Sequence, residues 1–166
     1  MFMQRVVKMM LRTSIISIFL VLLLSRSAFA QSKLPDYSNN YDPGRDAIAD
    51  GVAALALAKK TNRRVLIEVG GDWCSWCHIL DRFIANNHEV RKALHRHFVL
   101  LKVNYSEENF NEAFLKVFPK PLGFPHMYIT DEKGGILYSK DTAELLDNSQ
   151  YSGKLFLTFL NKWKKP

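Results

Sequence analysis

The side chains best suited to chemistry are Cys74 and Cys77, the only two cysteines among 166 residues, separated by Ser75 and Trp76. A structural disulfide stabilises by closing a loop, and its contribution grows with loop length. Cysteines three positions apart close almost none, so this pair is present for reactivity. The spacing suits a dithiol that cycles to a disulfide, one thiolate attacking and the other resolving the mixed disulfide that results. Two other chemistries use the same residues. Cys74-Ser75-Trp76-Cys77-His78 fits the Cys-x-x-Cys-His attachment motif of c-type haem, with His78 on the iron and a methionine such as Met127 opposite. Cys74, Cys77, His78 and His126 are also ligand types for zinc or cuprous copper.

The elements around the pair favour one of these. Val65-Leu66-Ile67-Glu68-Val69 is a short, β-branched apolar run and reads as a buried strand. Gly70-Gly71 ends it, and Asp72-Trp73 leads into a helix with Cys77, Leu80, Phe83 and Ile84 at helical spacing. Cys74 therefore stands where a strand gives way to a helix, facing unsatisfied N–H groups and the positive end of the macrodipole. That setting favours thiolate over thiol: such sites reach pKa values of roughly 3.5–7.5, against about 8.5 for a free cysteine. Cys77, one turn on, shares the face and lies deeper. A helix over residues 89–96 and a strand over 98–103 (FVLLKV) follow, and strand–helix–strand implies a right-handed parallel βαβ unit.

Upstream, Asp42-Pro43 predicts a cap and first turn for a helix reaching about Lys60, with Ile48, Val52, Leu55 and Ala56 inward. Downstream, Ser106 with Glu107 and Glu108 predicts a helix running to about Phe118. Pro119, Pro121, Gly123 and Pro125 make an irregular approach to a strand over 126–130. A turn at 131–135 and a strand over 136–139 complete a hairpin. An amphipathic helix over 149–163 closes the chain, with Leu155, Phe156, Phe159 and Leu160 inward. There is no internal repeat and no second domain.

The first 30 residues read as an export signal. Arg5, Lys8 and Arg12 precede the apolar run TSIISIFLVLLL, and Ala28-Phe29-Ala30 offers a small-x-small cleavage site. The run is too short for a spanning helix of roughly 20 apolar residues, so no membrane insertion is expected after cleavage. Four basic residues leave with the signal and no acidic ones, which lowers the charge from +7 to +3. The remaining basic clusters are not interleaved with aromatics, so nucleic acid is not an expected partner. Residues 31–41 (QSKLPDYSNNY) read as a flexible polar lead-in, and 42–166 as one domain.

The run VLIEVGGDWCSWCHILDRF, with Gly123-Phe124-Pro125 about fifty residues beyond Cys74, resembles the thioredoxin superfamily. It is most similar to small exported thioredoxin-like domains with a WCxxCH-type motif. The resemblance covers residues 64 to the C-terminus and implies an α/β fold, a central mixed sheet flanked by helices. It implies that Cys74 attacks and Cys77 resolves. Glu68, six residues before Cys74, matches the buried acid that takes the resolving thiol's proton. Pro125 matches the cis-proline facing the sulfurs, and Trp73, Trp76 and Phe124 join it in contacting substrate. Ser75-Trp76 stands where thioredoxin has Gly-Pro, and His78 where lysine is common, so both modulate the couple. No cofactor or metal is implied. The expected partners are cysteine-containing proteins and a redox partner that resets the dithiol, in a periplasmic or secreted setting, with reduction or isomerisation favoured over oxidation. A c-type haem protein, or a copper- or zinc-binding module on the same fold, is the alternative. Haem would leave Glu68 and Pro125 unexplained.

Overall fold

The computed structural model describes residues 34–166. The expected signal over residues 1–30 and the first residues of the lead-in lie outside them. Buried, largely apolar runs supply β1 (Arg64–Gly70), β2 (Phe98–Asn104) and β3 (His126–Thr130), and the half-polar β4 (Ile136–Asp141) completes the sheet. Their order is β2-β1-β3-β4, with β1 and β2 parallel and the other neighbours antiparallel. The sheet is therefore mixed, as expected.

Alternation along the strands divides the core in two. Val65, Ile67 and Val69 of β1 join Val99, Leu101 and Val103 of β2 against helix α1 (Ala47–Lys60). Leu66, Phe98, Leu100, Met127 and Ile129 face the other way. They pack on α2 (Ser75–Asn86), α3 (His88–His97) and the last helix, whose Phe156, Phe159 and Leu160 are buried.

Four expectations are corrected. The lead-in is packed from residue 34 onward rather than flexible through residue 41. A 3-10 turn at Asp36–Ser38 buries Tyr37 and Ser38, and Tyr41 is buried too. Ser38 Oγ donates to the Leu100 carbonyl at 2.5 Å. Two tyrosines give this polar-looking stretch the apolar area to dock.

Helix α1 starts at Ala47, not Pro43, because Asp46 is the cap and accepts from the N–H groups of Ile48 and Ala49. Its inward stripe is Ala47, Gly51, Ala54 and Ala58, while Ile48 and Val52 are 52% and 65% exposed. Close approach selects the small residues: a Cβ on Gly51 would sit 3.0 Å from the Phe114 ring.

The helix expected from Ser106 shrinks to α4 (Glu112–Leu115). Ser106 and Asn109 instead exchange backbone hydrogen bonds at 3.2 and 3.1 Å, and Asn104 Nδ2 donates to Ser106 Oγ and the Asn109 carbonyl. Such side-chain bonds draw asparagine- and serine-rich chain into turns. The last helix, α5 (Gly153–Trp163), starts at cap Ser152. Before it, β5 (Leu146–Asp147) and β6 (Gln150–Tyr151) pair around Asn148 and Ser149, both at positive φ, as a two-residue hairpin turn requires.

Candidate active site

Cys74 is the N-cap of α2, its extended backbone (φ −91°, ψ 101°) turning its sulfur over the first helical turn. Cys74 Sγ accepts from the Cys77 N–H at 3.2 Å, so a free helix donor is satisfied by sulfur. Both cysteines are buried, 4% and 0% exposed, and they are joined as a disulfide.

Glu68 shares its strand face with Leu66 and is fully buried. Its register partners are Lys102 on β2 and Met127 on β3. Glu68 Oε1 accepts a hydrogen bond from the Tyr41 phenol, while Oε2 has no partner among the described residues. Lys102 Nζ lies 3.9 Å from Oε1, pairs with Asp81 Oδ1, and stands 4.6 Å from the centroid of the Tyr41 ring. Burial holds the Glu68 carboxyl above the ordinary range against the opposing pull of Lys102; the Asp81 charge raises it further and the Tyr41 hydrogen bond lowers it. Burial, then the neighbouring Glu68, pushes the Tyr41 phenol well up.

Two glycines make room for this arrangement. A Cβ on Gly70 would lie 2.6 Å from Cys77 Sγ and 2.9 Å from Tyr41 Cζ. One on Gly71 would lie 2.5 Å from Trp73 Nε1, which donates to the Tyr105 carbonyl at 2.7 Å.

The other expected residues surround the pair. Trp73 is 57% and Trp76 42% exposed. Trp73 meets Phe124 edge-on at 5.6 Å, Phe124 stacks on Tyr105 at 4.9 Å, and Trp76 meets Tyr151 edge-on at 6.0 Å. Phe124 packs against the cluster of Tyr41, Cys74 and Cys77. The Phe124–Pro125 peptide is cis, and the Pro125 carbonyl accepts from Thr142 Oγ1 at 2.6 Å. Ser75 is the exposed first residue of α2. His78 Nε2–H donates to the Asp72 carbonyl at 2.8 Å, tying α2 back to the loop before it. His126 is buried, its Nε2 bonded to Ser139 Oγ at 2.8 Å. Met127, a methionine the haem alternative would place opposite His78, is fully buried in the core. Among the described residues no cluster of three or more His, Cys, Asp or Glu side chains is placed to hold a metal.

Sequence reasoning missed Tyr41, Lys102 and Asp81. Lys102 had a signal, the one charge inside the apolar strand β2, and Asp81 stands four residues after Cys77 on the same helix. Tyr41 had none, because no periodicity marks its segment.

The chain is similar to several known proteins. A disulphide isomerase from Xylella fastidiosa matches with 25% identity and a TM-score of 0.63, over 79% of this chain and 97% of that one. The C-terminal domain of DsbD from Neisseria meningitidis, in its reduced form, shares the fold at 18% identity and a TM-score of 0.54, over 70% of this chain and 96% of the domain. An uncharacterized Caenorhabditis elegans protein is 27% identical over 84% of this chain and 20% of its own length. Spermatogenesis-associated protein 20 of Mus musculus is 32% identical over 34% of this chain and 7% of its own length. The chain thus spans about a fifth or less of these two relatives. The family described as Thioredoxin-like matches residues 46–131, just over half of the chain. That match runs through the strand, glycine pair and disulfide-bearing helix just described; the chain belongs to the thioredoxin-like family, and its domain is of the thiol–disulfide oxidoreductase type.

Proposed function

We propose that this protein is an exported thiol–disulfide oxidoreductase that reduces or isomerises disulfides in cysteine-containing proteins. The observation that carries the reading is the Cys74 sulfur capping α2 in a site whose buried Glu68 keeps one oxygen unpartnered. In the dithiol form, Cys74 thiolate attacks a substrate disulfide. A Cys74–substrate bond forms, and one substrate sulfur leaves as thiolate. Cys77 then attacks Cys74 Sγ, its proton passing to Glu68, and the second substrate sulfur leaves as the Cys74–Cys77 bond forms. The substrate gains two electrons and the protein loses two. A partner dithiol restores the reduced pair.

Exposed Trp73 and Trp76, half-buried Phe124 and buried Pro125 are the residues a substrate segment meets, and Ser75 and His78 modulate the couple. The basic and apolar stretches of residues 1–30 support export to a periplasmic or extracellular setting. Among the described residues no helix is long and apolar enough to cross a membrane. Likeness to a disulphide isomerase supports reduction or isomerisation over oxidation. The test is insulin reduction with dithiothreitol as the resetting dithiol. The wild-type chain accelerates precipitation, and Cys74→Ser abolishes the acceleration. Retained activity in that variant overturns Cys74 as nucleophile.

A further inference from the structure

Tyr41 lies before residues 46–131, the part matched by the family, yet it is 2% exposed and packs with both cysteines. Its phenol donates to Glu68 Oε1. Its oxygen and Cys77 Sγ lie 3.0 and 2.6 Å from one point, the place of a Gly70 Cβ. A buried carboxylate with a single donor on one oxygen is held in orientation, and its free oxygen stays open to a proton. Resting on the thiol-exchange reading, we propose that Tyr41 is a positioning residue for the resolving step, holding Glu68 by Oε1 so that Oε2 receives the Cys77 proton. The segment before α1 is then part of the redox centre.

The step balances. The Cys77 S–H proton goes to Glu68 Oε2, the Cys77 Sγ–Cys74 Sγ bond forms, the Cys74–substrate bond breaks, and the leaving sulfur departs as thiolate. The charged and titratable groups that act on Glu68 and Tyr41 are Lys102 from β2, Asp81 from α2 and Tyr151 from β6. None of these donates to Glu68 in place of the phenol: Lys102 is bonded to Asp81 and stands 3.9 Å from Oε1. Loss of the phenol therefore leaves the carboxylate without its hydrogen bond. A hydrogen bond to a charged group is among the stronger ones, and a tenfold change in a proton equilibrium corresponds to about one pH unit.

The experiment mixes the reduced full chain with 5,5′-dithiobis(2-nitrobenzoate) across pH 5–9. The first thionitrobenzoate released reports attack by Cys74, and the second reports resolution by Cys77. In Tyr41→Phe the midpoint of the second phase moves up by about one unit and its rate at pH 7 falls about tenfold, while the first phase changes less than about twofold. The ring is kept, so its packing survives. Glu68→Gln and the double variant complete a cycle in which Tyr41→Phe adds nothing once Glu68 is gone. An unmoved midpoint overturns the proposal, as does an equal slowing of both phases. So does a full Tyr41→Phe effect in the Glu68→Gln background. If Tyr41→Phe fails to fold, its instability persisting in the Glu68→Gln background also overturns it, since the ring and not the hydroxyl bond would then be at work. A wild-type chain that releases neither thiolate fails the thiol-exchange reading itself, separately from Tyr41.

Discussion

The Tyr41 phenol and the Cys77 sulfur converge on Gly70: a Cβ there would lie 2.6 Å from the sulfur and 2.9 Å from Tyr41 Cζ. Neither group is free to retreat. The sulfur is tied to Cys74 and the phenol to Glu68. The strand therefore ends in glycine because two partners occupy the space of a side chain.

Gly70→Ala should cost about 1–3 kcal/mol, as overpacking does, and should slow disulfide exchange by moving Tyr41 off Glu68. Gly123→Ala is the control. A Cβ there meets nothing within 4 Å, and its effect should stay within about 0.5 kcal/mol. Urea unfolding of the oxidised proteins checks both. Equal stability of the two variants contradicts the packing at Gly70.

Glu68 also sets a pH dependence. The native state holds its proton more tightly than the unfolded chain does, chiefly through burial. Its contribution to stability is therefore complete below the ordinary glutamate value of about 4.3 and is lost as pH rises through the elevated native value. Glu68→Gln should remove that decline and stabilise the oxidised protein at neutral pH by an amount on the order of 1 kcal/mol. Comparing the two proteins isolates Glu68 from His126, whose burial lowers its value and works in the opposite direction. Urea midpoints between pH 4 and 8 give the answer, and parallel curves contradict an elevated Glu68.

On the proposed division of roles, Cys77→Ser removes the resolving thiol and leaves Cys74 able to attack. Expressed in an exporting host, this variant should accumulate mixed disulfides with cysteine-containing proteins, visible on non-reducing gels and collapsed by reductant. Cys74→Ser should show few or none. Equal trapping by both variants contradicts the division of roles.

How far the site was legible depends on what kind of signal each residue carried. Cys74, Glu68 and Pro125 belong to a local motif or a strand with its own pattern, and the strands around them read correctly because buried apolar runs are self-evident. In helix α1, Ile48, Val52 and Ala56 face out, and of the large apolar residues expected inward Leu55 alone packs against the core. Its small residues pack on the sheet instead, with Gly51 set against Phe114. The stretch after β2 looked helical from Ser106 and its acids, but asparagine side chains hold it in turns. Tyr41 meets Glu68 and Lys102 only through tertiary contacts, with segments 27 and 61 residues away in sequence. No local rule contains that information.

The most direct measurement is a redox titration of the purified protein in graded thiol/disulfide buffers, quenched by alkylation and read by intact mass. One reversible two-electron transition confined to Cys74 and Cys77 is predicted. A midpoint near or below about −230 mV would mark a reductase, and one near −180 mV an isomerase. A pair that stays locked in one state across about −120 to −300 mV, or a mass carrying covalent haem on these cysteines, would contradict thiol–disulfide exchange as the activity of this site.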